Sequence, residues 1–482
     1  MDNDTRQKPG TALAPTDERG ASSRCWFLLH PIKSLTILFL VWKAVLFLVI
    51  INCPGPGYDT STTLLLGPSQ SPAPAKELWG SFGIPSISPI LRFVRWDSIY
   101  FVHIAERGYL YEQEWAFGYG YTGLLSHLTA ALRPTENGIG PTEVALVAVG
   151  ISHLSHFLSV LSLYALTKTI FGAETNAQRA FCLVSAALHI ISPAGAFLSA
   201  PYGESLFSFL NLTGFCLYLS AVFDEDTGRR ISRDVKFLAA AVLFALATTV
   251  RSNGILSGCL FAYDAALGVA RVITRGFSLE VMHRLFVVVL GGSIVALGMV
   301  GPQYVAFMAY CTNSDLSRPW CKQLIPSIYG WVQAHYWNVG FLKYWTVSNL
   351  PLFCLAAPML AVLCQSAFSA LQKPLAEQIY LSSARDASSQ KTRLRQSCLA
   401  RLAITQGLLA IMALTSYHVQ IINRISSGYP LWYWYLASLA LDKTKPSQPT
   451  PAGRHLFSAA TQGMVIYGLV QAVLFGSFLP PA

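Results

Sequence analysis

Charge is what this sequence lacks. Of its 482 residues only 12% are Asp, Glu, Lys or Arg and 53% are hydrophobic, whereas a soluble globular chain carries roughly 25% charge. With a mean hydropathy of +0.44, the deficit excludes an ordinary water-soluble domain and places the chain among polytopic membrane proteins. The ten cysteines show no CxxC…CxxC spacing, so no zinc site is expected. No cleavage site of small residues follows the first apolar segment, which reads as a retained anchor behind a polar, disordered residue 1–33 tail. The net charge of +10 comes without any nucleic-acid motif. The basic residues lie between apolar segments, where they set topology.

What is present is a series of apolar runs near the ~20 residues that a bilayer crossing takes. They fall at about 34–51, 143–170, 179–200, 204–223, 236–252, 254–270, 285–310, 350–371, 400–418, 428–441 and 456–479. About eleven transmembrane helices within 34–479 therefore predict an all-α polytopic fold, since only helices satisfy a single segment's backbone in lipid. Lys43, inside the first run, is expected to snorkel or to face other helices. The segment LLSHLTAALRP after Thr122 is too short to span and reads as interfacial or re-entrant.

Lys and Arg crowd into alternate loops: residues 6–33, 168–179, 229–236, 271–284, 373–401 and 443–454. The positive-inside rule puts these, with the N-terminus and the basic loop 372–400, in the cytosol. A large loop at 52–141 and a second at 311–349 then share the other side. Cys311 and Cys321 lie in the second, where a disulfide is permitted and two free thiols are equally compatible. No N-x-[ST] sequon falls in a non-cytosolic loop.

Five polar or aromatic patches map to that non-cytosolic face: RWDSIYFVHIAERGY from Arg95, SAPYGESLF from Ser199, VRSNG from Val250, IYGWVQAHYWNVGFLKYW from Ile328 and QIINRISSGYPLWYWYLA from Gln420. Structural readings exist for each. The Trp and Tyr residues of the last two read as an interfacial belt. Arg251 and Arg424 suit snorkelling to headgroups, and Glu204 suits the positive end of a helix dipole. Asp97 suits a helix N-cap, but a carboxylate there also faces the membrane surface. A general base for an acceptor hydroxyl, with cations to stabilise a departing phosphate, is all that transfer of a sugar from a lipid phosphate requires. Glu106 either braces its surroundings or assists catalysis. His103 is a packed histidine or a substrate contact. No DxD motif, the magnesium anchor of nucleotide-sugar enzymes, is expected to act here, and no metal or cofactor is expected.

Together the stretches at 95–121, 192–214 (SPAGAFLSAPYGESLFSFLNLTG), 248–256 (TTVRSNGIL), 336–345 (YWNVGFLKYW) and 422–437 (INRISSGYPLWYWYLA) resemble, in order, the GPI mannosyltransferase family that adds the second mannose to the GPI anchor precursor. Segments 52–89 and 372–400 carry no match, and AFGYGY at Ala116–Tyr121 departs from the family's run, leaving Phe117 and Tyr119 without an assigned role. The resemblance implies a GT-C type enzyme of the endoplasmic reticulum membrane with a lumenal active site. It implies dolichyl phosphate mannose as donor, the GPI precursor glycolipid as acceptor, an α-1,6 product and inversion. Carried to this chain, Asp97 is the base, with Trp96 and Arg95 positioning its loop. Arg251 or Arg424 meets the donor phosphate, and Tyr202 and Glu204 contact the acceptor glycan. Tyr336 and Trp337 stack on sugars or line a dolichol groove. A small membrane subunit is an admissible partner that no stretch marks. The alternatives are a transporter or flippase of a lipid-linked sugar, which would place ionisable groups at mid-membrane between broken helices, an inactive subunit, and a dolichyl phosphate mannose user with another acceptor.

Overall fold

The computed structural model describes residues 26–53, 61–62, 89–132, 139–312, 318–372, 389–441 and 451–479. Among them every regular element is helical. The main helices are α1 (Pro31–Asn52), α2 (Ser98–Arg107), α3 (Tyr119–Leu132), α4 (Pro141–Phe171), α5 (Asn176–Ile190), α6 (Glu204–Asp226) and α7 (Arg230–Val250). They continue as α8 (Gly258–Arg275), α9 (Leu279–Cys311), α10 (Ile328–Tyr336), α11 (Leu350–Leu371), α12 (Ser389–Thr415), α13 (Leu431–Leu441) and α14 (Pro451–Gly476).

Eight helical stretches among the described residues are long and apolar enough to cross a bilayer: α1, α4, α6, the 252–275 stretch containing α8, α9, the 347–371 stretch containing α11, α12 and α14. The other three expected spans are helical but differ in kind. In α5 the helix stops at Ile190, and the chain goes on through Ser192 and Pro193 to a 3-10 turn at Gly195–Leu198, because proline cannot donate the next hydrogen bond. The first two turns of α7 hold Arg230, Arg233, Asp234 and Lys236, so its apolar part begins only at Phe237. With 11 residues, α13 reaches about 16 Å, half of a ~30 Å hydrocarbon core.

Other boundaries also move. Within the expected 1–33 tail the chain is helical at 26–29 and again from Pro31, and residues 1–25 lie outside the described residues. Residues 389–400 of the basic loop form the start of α12, and most of the remainder, 373–388, lies outside the description, as do 54–60 and 63–88 of the first loop.

Packing centres on α6, which lies against α4 and α7, with α9 laid over α7 and α8. On the other flank α1 packs on α14, α13 joins α5, α11 and α14, and α12 bridges α11 to α8. The aromatic run of α13 is interior: Tyr429, Trp432, Tyr433 and Trp434 are all buried. That corrects the interfacial-belt reading for these rings, which fill the space between helices instead. Lys43 is buried too, and Nζ donates to Leu198 O (2.8 Å) and Ser199 Oγ (2.7 Å). It faces other helices, the second of its two expected placements.

A second, smaller core sits apart from the bundle. Trp115 of the first loop, Ala306 of α9, and Trp320, Ile328 and Val332 of the second loop bury one another. Cys311 and Cys321 are disulfide-bonded at its edge, which settles the choice that spacing left open. Trp320 Nε1 donates to Glu112 Oε1 at 3.0 Å, and Arg318 Nε lies 3.4 Å from the same oxygen. Glu114 accepts from Arg107 (2.7 Å) and from the backbone of Leu110 (2.8 Å) and Tyr111 (3.1 Å). Glu112 thus ties the two loops together, while Glu114 braces the first loop on itself.

Candidate active site

Under this small core lies a cavity of about 430 Å³. Four of the five patches line it directly, through Asp97 and Phe101; Val250–Asn253; Tyr329, Gln333 and Trp337; and Ile421, Arg424 and Ile425; Trp115–Tyr119, further along the first loop, completes the wall. The remaining patch enters through Glu204, which lies behind the wall and binds two of its arginines.

Local geometry exposes Asp97. It immediately precedes α2, yet its carboxylate makes no cap hydrogen bond. The first α2 hydrogen bonds run to backbone carbonyls of Arg95, Trp96 and Asp97. The side chain is therefore uncapped, 47% exposed, with only a long 3.5 Å contact to Arg424. Trp96 just before it has φ +55°, a left-handed conformation that costs a large side chain on the order of 1–3 kcal/mol and recurs at functional turns. Its ring packs on Phe478, centroids 5.1 Å apart. The buried Arg95 side chain donates to Thr62 Oγ1 (2.6 Å), and its carbonyl accepts from the Tyr202 hydroxyl (2.8 Å). Both neighbours thus hold the turn and stand outside the cavity wall.

The charges form a chain. Glu204 is 0% exposed; its Oε1 accepts from Arg424 Nε (2.8 Å) and is ion-paired with Arg424 Nη2 (2.7 Å) and Arg251 Nη1 (2.7 Å). Arg424 Nη2 lies 3.5 Å from Asp97 Oδ2, and its guanidinium stacks over Phe197 at 4.0 Å. Burial works against the Arg424 charge, but the carboxylates of Glu204 and Asp97 outweigh it and hold the pKa above its ordinary value. Burial first, then Asp97, raises Tyr202 well above a normal phenol, so its hydroxyl remains a donor. Neither Arg251 nor Arg424 snorkels. Each is a fixed cation on the cavity wall.

Several expected contacts are not brought to the cavity. Tyr202 and Glu204 are fully buried and present nothing to a glycan; they hold the Asp97 turn and the two arginines, which corrects their assignment as acceptor contacts. His103 and Glu106 pair with each other at 3.5 Å, outside the cavity wall. Tyr336 is exposed next to Trp337 but points elsewhere, whereas Trp337 lines the cavity. Phe117 and Tyr119 now have places. Phe117 stacks on Tyr100 at 4.5 Å and Tyr119 on Trp115 at 6.0 Å, and both face the cavity. The amides Asn253, Gln303 and Gln333 also line it. An isolated neutral amide carries little sequence signal of its own: Asn253 and Gln333 fall within two of the patches, VRSNG and IYGWVQAHYWNVGFLKYW, while Gln303 lies in an apolar span.

Among the described residues no group of His, Cys, Asp and Glu could hold a metal ion. The acidic triplet Asp224–Asp226 closes α6 at the end away from Glu204. There Asp224 binds Lys236 (2.6 Å) and Arg229 (3.1 Å).

The family model described as mannosyltransferase (PIG-V) matches residues 32–482. The chain belongs to that family. GPI mannosyltransferase 2 of Aspergillus fumigatus is 53% identical over 98% of this chain and 99% of its own length. That of Aspergillus oryzae is 52% identical over 94% and 96%, and that of Schizosaccharomyces pombe 30% over 81% and 74%. This PIG-V member is therefore a multi-pass membrane mannosyltransferase, and the names of its relatives set the family in GPI-anchor biosynthesis. An enzyme, not a transporter, is the class that the cavity has to serve. Among solved structures, the archaeal oligosaccharyltransferase AglB of Archaeoglobus fulgidus is similar at TM-score 0.44 and 11% identity, over 94% of this chain and 56% of that one. The likeness is slight.

Proposed function

We propose that the chain transfers mannose from dolichyl phosphate mannose, in α-1,6 linkage, to the first mannose of the GPI precursor at the lumenal face of the endoplasmic reticulum membrane. The observation that carries this reading is the half-exposed Asp97 carboxylate, free of any cap, facing a cavity whose wall holds two immobilised guanidinium groups. The acceptor hydroxyl oxygen attacks C1 of the donor sugar, and its proton passes to Asp97. The bond from C1 to the phosphate oxygen breaks, and dolichyl phosphate leaves with the bonding pair. One displacement inverts C1, turning a β-linked donor into an α product. Arg251 faces the phosphate as its charge grows, with Arg424 beside Asp97, and a cation already held in place needs no reorganisation at that moment. Glu204 fixes both, a positioning role. Trp337 offers an aromatic face to a sugar. The GT-C architecture, the cytosolic N-terminus and a small membrane subunit belong to the same reading.

The test supplies Asp97→Asn to cells lacking the second GPI mannosylation step. The wild-type chain should elongate the single-mannose intermediate, and the variant, present at equal level, should not. Elongation by Asp97→Asn would remove the base assignment; failure of the wild type would remove the function.

A further inference from the structure

Helix α10 forms one side of the cavity and has two faces. Ile328 and Val332 turn into the small core with Trp115 and Trp320. Tyr329, Gln333 and Trp337, each four residues from the next, line the cavity. Tyr329 and Gln333 share one helical face at that spacing, and Trp337, which caps the helix just after Tyr336, continues the row along the cavity.

The ends of the row are fixed at chemically different places. The Tyr329 hydroxyl bonds Ser252 Oγ at 2.6 Å, in the residue next to Arg251. Trp337 meets Phe117 edge-on with centroids 6.0 Å apart, and Phe117 in turn stacks on Tyr100, one turn into the helix that Asp97 precedes. Gln333 stands between them, about one turn, ~5.4 Å, from each. The row runs from the cation that faces the phosphate to the aromatic wall beside the base. Gln333 has no side-chain hydrogen bond among the described residues. Its amide carries two donors and an acceptor, which suits neighbouring hydroxyls of a pyranose. An indole offers an apolar face with a polar edge, which suits the C–H face of a sugar ring.

We propose that α10 reads the two sugars in series: the Gln333 amide holds hydroxyls of the transferred sugar, and the Trp337 indole stacks on the acceptor sugar. The proposal rests on the reading of the cavity as the mannosyl-transfer site. A sugar joined directly to a phosphate at Arg251 extends from it by one ring, and one helical turn brings the wall to Gln333. The acceptor, approaching C1 from the side opposite the phosphate, then meets Trp337. The row is held rigidly. Gln303 Oε1 accepts from Tyr329 N and Ser327 Oγ, both at 3.1 Å, and the Cys311–Cys321 bond fastens the preceding segment to α9.

The experiment measures initial rates of the full-length chain in microsomes from cells lacking the endogenous step, varying donor and acceptor separately. Gln333→Met removes the amide at nearly constant volume. It should raise the donor KM roughly three- to tenfold, the loss of one neutral hydrogen bond, with acceptor KM within about twofold. It should also narrow the preference for dolichyl phosphate mannose over dolichyl phosphate glucose. Trp337→Leu should do the reverse, raising the acceptor KM by a similar factor and leaving donor preference alone, and Trp337→Phe should recover part of it. A crossed pattern, equal shifts in both constants, or unchanged constants for Gln333→Met at wild-type protein level would overturn the proposal. Wild-type membranes that do not use dolichyl phosphate mannose at all would instead remove the reading of the cavity beneath it.

Discussion

Glu204 binds two guanidinium groups with one oxygen, and no part of it meets solvent. Such a carboxylate contributes through what its loss leaves behind. Removing one partner of a buried ion pair costs about 3–5 kcal/mol, because the remaining charge is uncompensated. Here two cations would be stranded. Glu204→Ala is therefore expected to accumulate poorly, while Glu204→Gln should fold with a lowered thermal midpoint in detergent and transfer mannose much more slowly. Equal midpoints for Glu204→Gln and wild type would mean that the arginines are held by something else. Asp97→Asn differs in kind. The carboxylate is half exposed and bonded only weakly to Arg424, so the protein should be as stable as wild type. Turnover should fall by about 10²- to 10⁴-fold, the usual worth of a general base. Nor should Arg424 set an alkaline limb to the activity. Folding raises its pKa, so the stability that this charge contributes is present below its ordinary value and lost only as pH climbs beyond it. At this scale the sequence set Asp97, directly after Trp96, apart from Glu106, Glu112 and Glu114, and of these carboxylates it is the one that lines the cavity. The sequence misled about Glu204, since a Glu at a helix start looks the same whether it faces water or two arginines. The buried network of Asp264, Arg401 and Tyr218 was equally hidden. Arg401 Nε (3.1 Å) and the Tyr218 hydroxyl (2.6 Å) come to Asp264 from 137 and 46 residues away.

Between elements, the tightest fit near the cavity is α3 against the end of α7. A Cβ on Gly118 would stand 1.9 Å from Val250 O, and one on Gly120 would stand 2.1 Å from Thr249 Oγ1. These two glycines let the start of α3 lie on the backbone that leads directly to Arg251. They give a reason for the AFGYGY run that the family comparison of motifs left unexplained. Gly118→Ala must push Val250 O away and move Arg251 with it, because a backbone carbonyl has no rotamer to escape into. It should lower turnover at least tenfold, given that about 1.4 kcal/mol of lost transition-state stabilisation is a factor of ten. Gly123→Ala, where a Cβ meets open space, serves as the matched control and should be silent in the same transfer assay. If both variants behave alike, close approach at Gly118 is not what places Arg251. Most helices were legible as elements because an apolar run of span length has one structural solution in lipid. Where α5 breaks was not, since Gln471 of α14 and Lys43 of α1, not lipid, meet the backbone groups freed after Ile190.

Across the whole molecule the two ends of α6 carry opposite chemistries. Glu204 and the cavity are at one end; Asp224, Lys236, Arg229 and the basic segments are at the other. A helix of 23 residues separates them by about 34 Å, close to the ~30 Å hydrocarbon core. Charge bias between loops, an averaged property of dozens of residues, forecast which patches would share an end, and four of the five line one cavity. The orientation can be tested by cysteine labelling, with positions chosen by exposure. Ser98, at the start of α2, is fully buried and would stay unlabelled on either side of the membrane. Leu110, 56% exposed beside the acidic stretch, and Ile231, 82% exposed at the start of α7, are open and lie at opposite ends. In a background with the free thiols replaced and Cys311–Cys321 retained, Leu110→Cys in sealed microsomes should react with a membrane-impermeant maleimide only after the membrane is permeabilised. Ile231→Cys should react without permeabilisation if the positive-inside expectation for its basic loop holds. Labelling of both in sealed vesicles would mean that α6 does not separate two compartments. The reverse pattern would turn the cavity to the cytosol, and with it the side from which donor and acceptor must arrive.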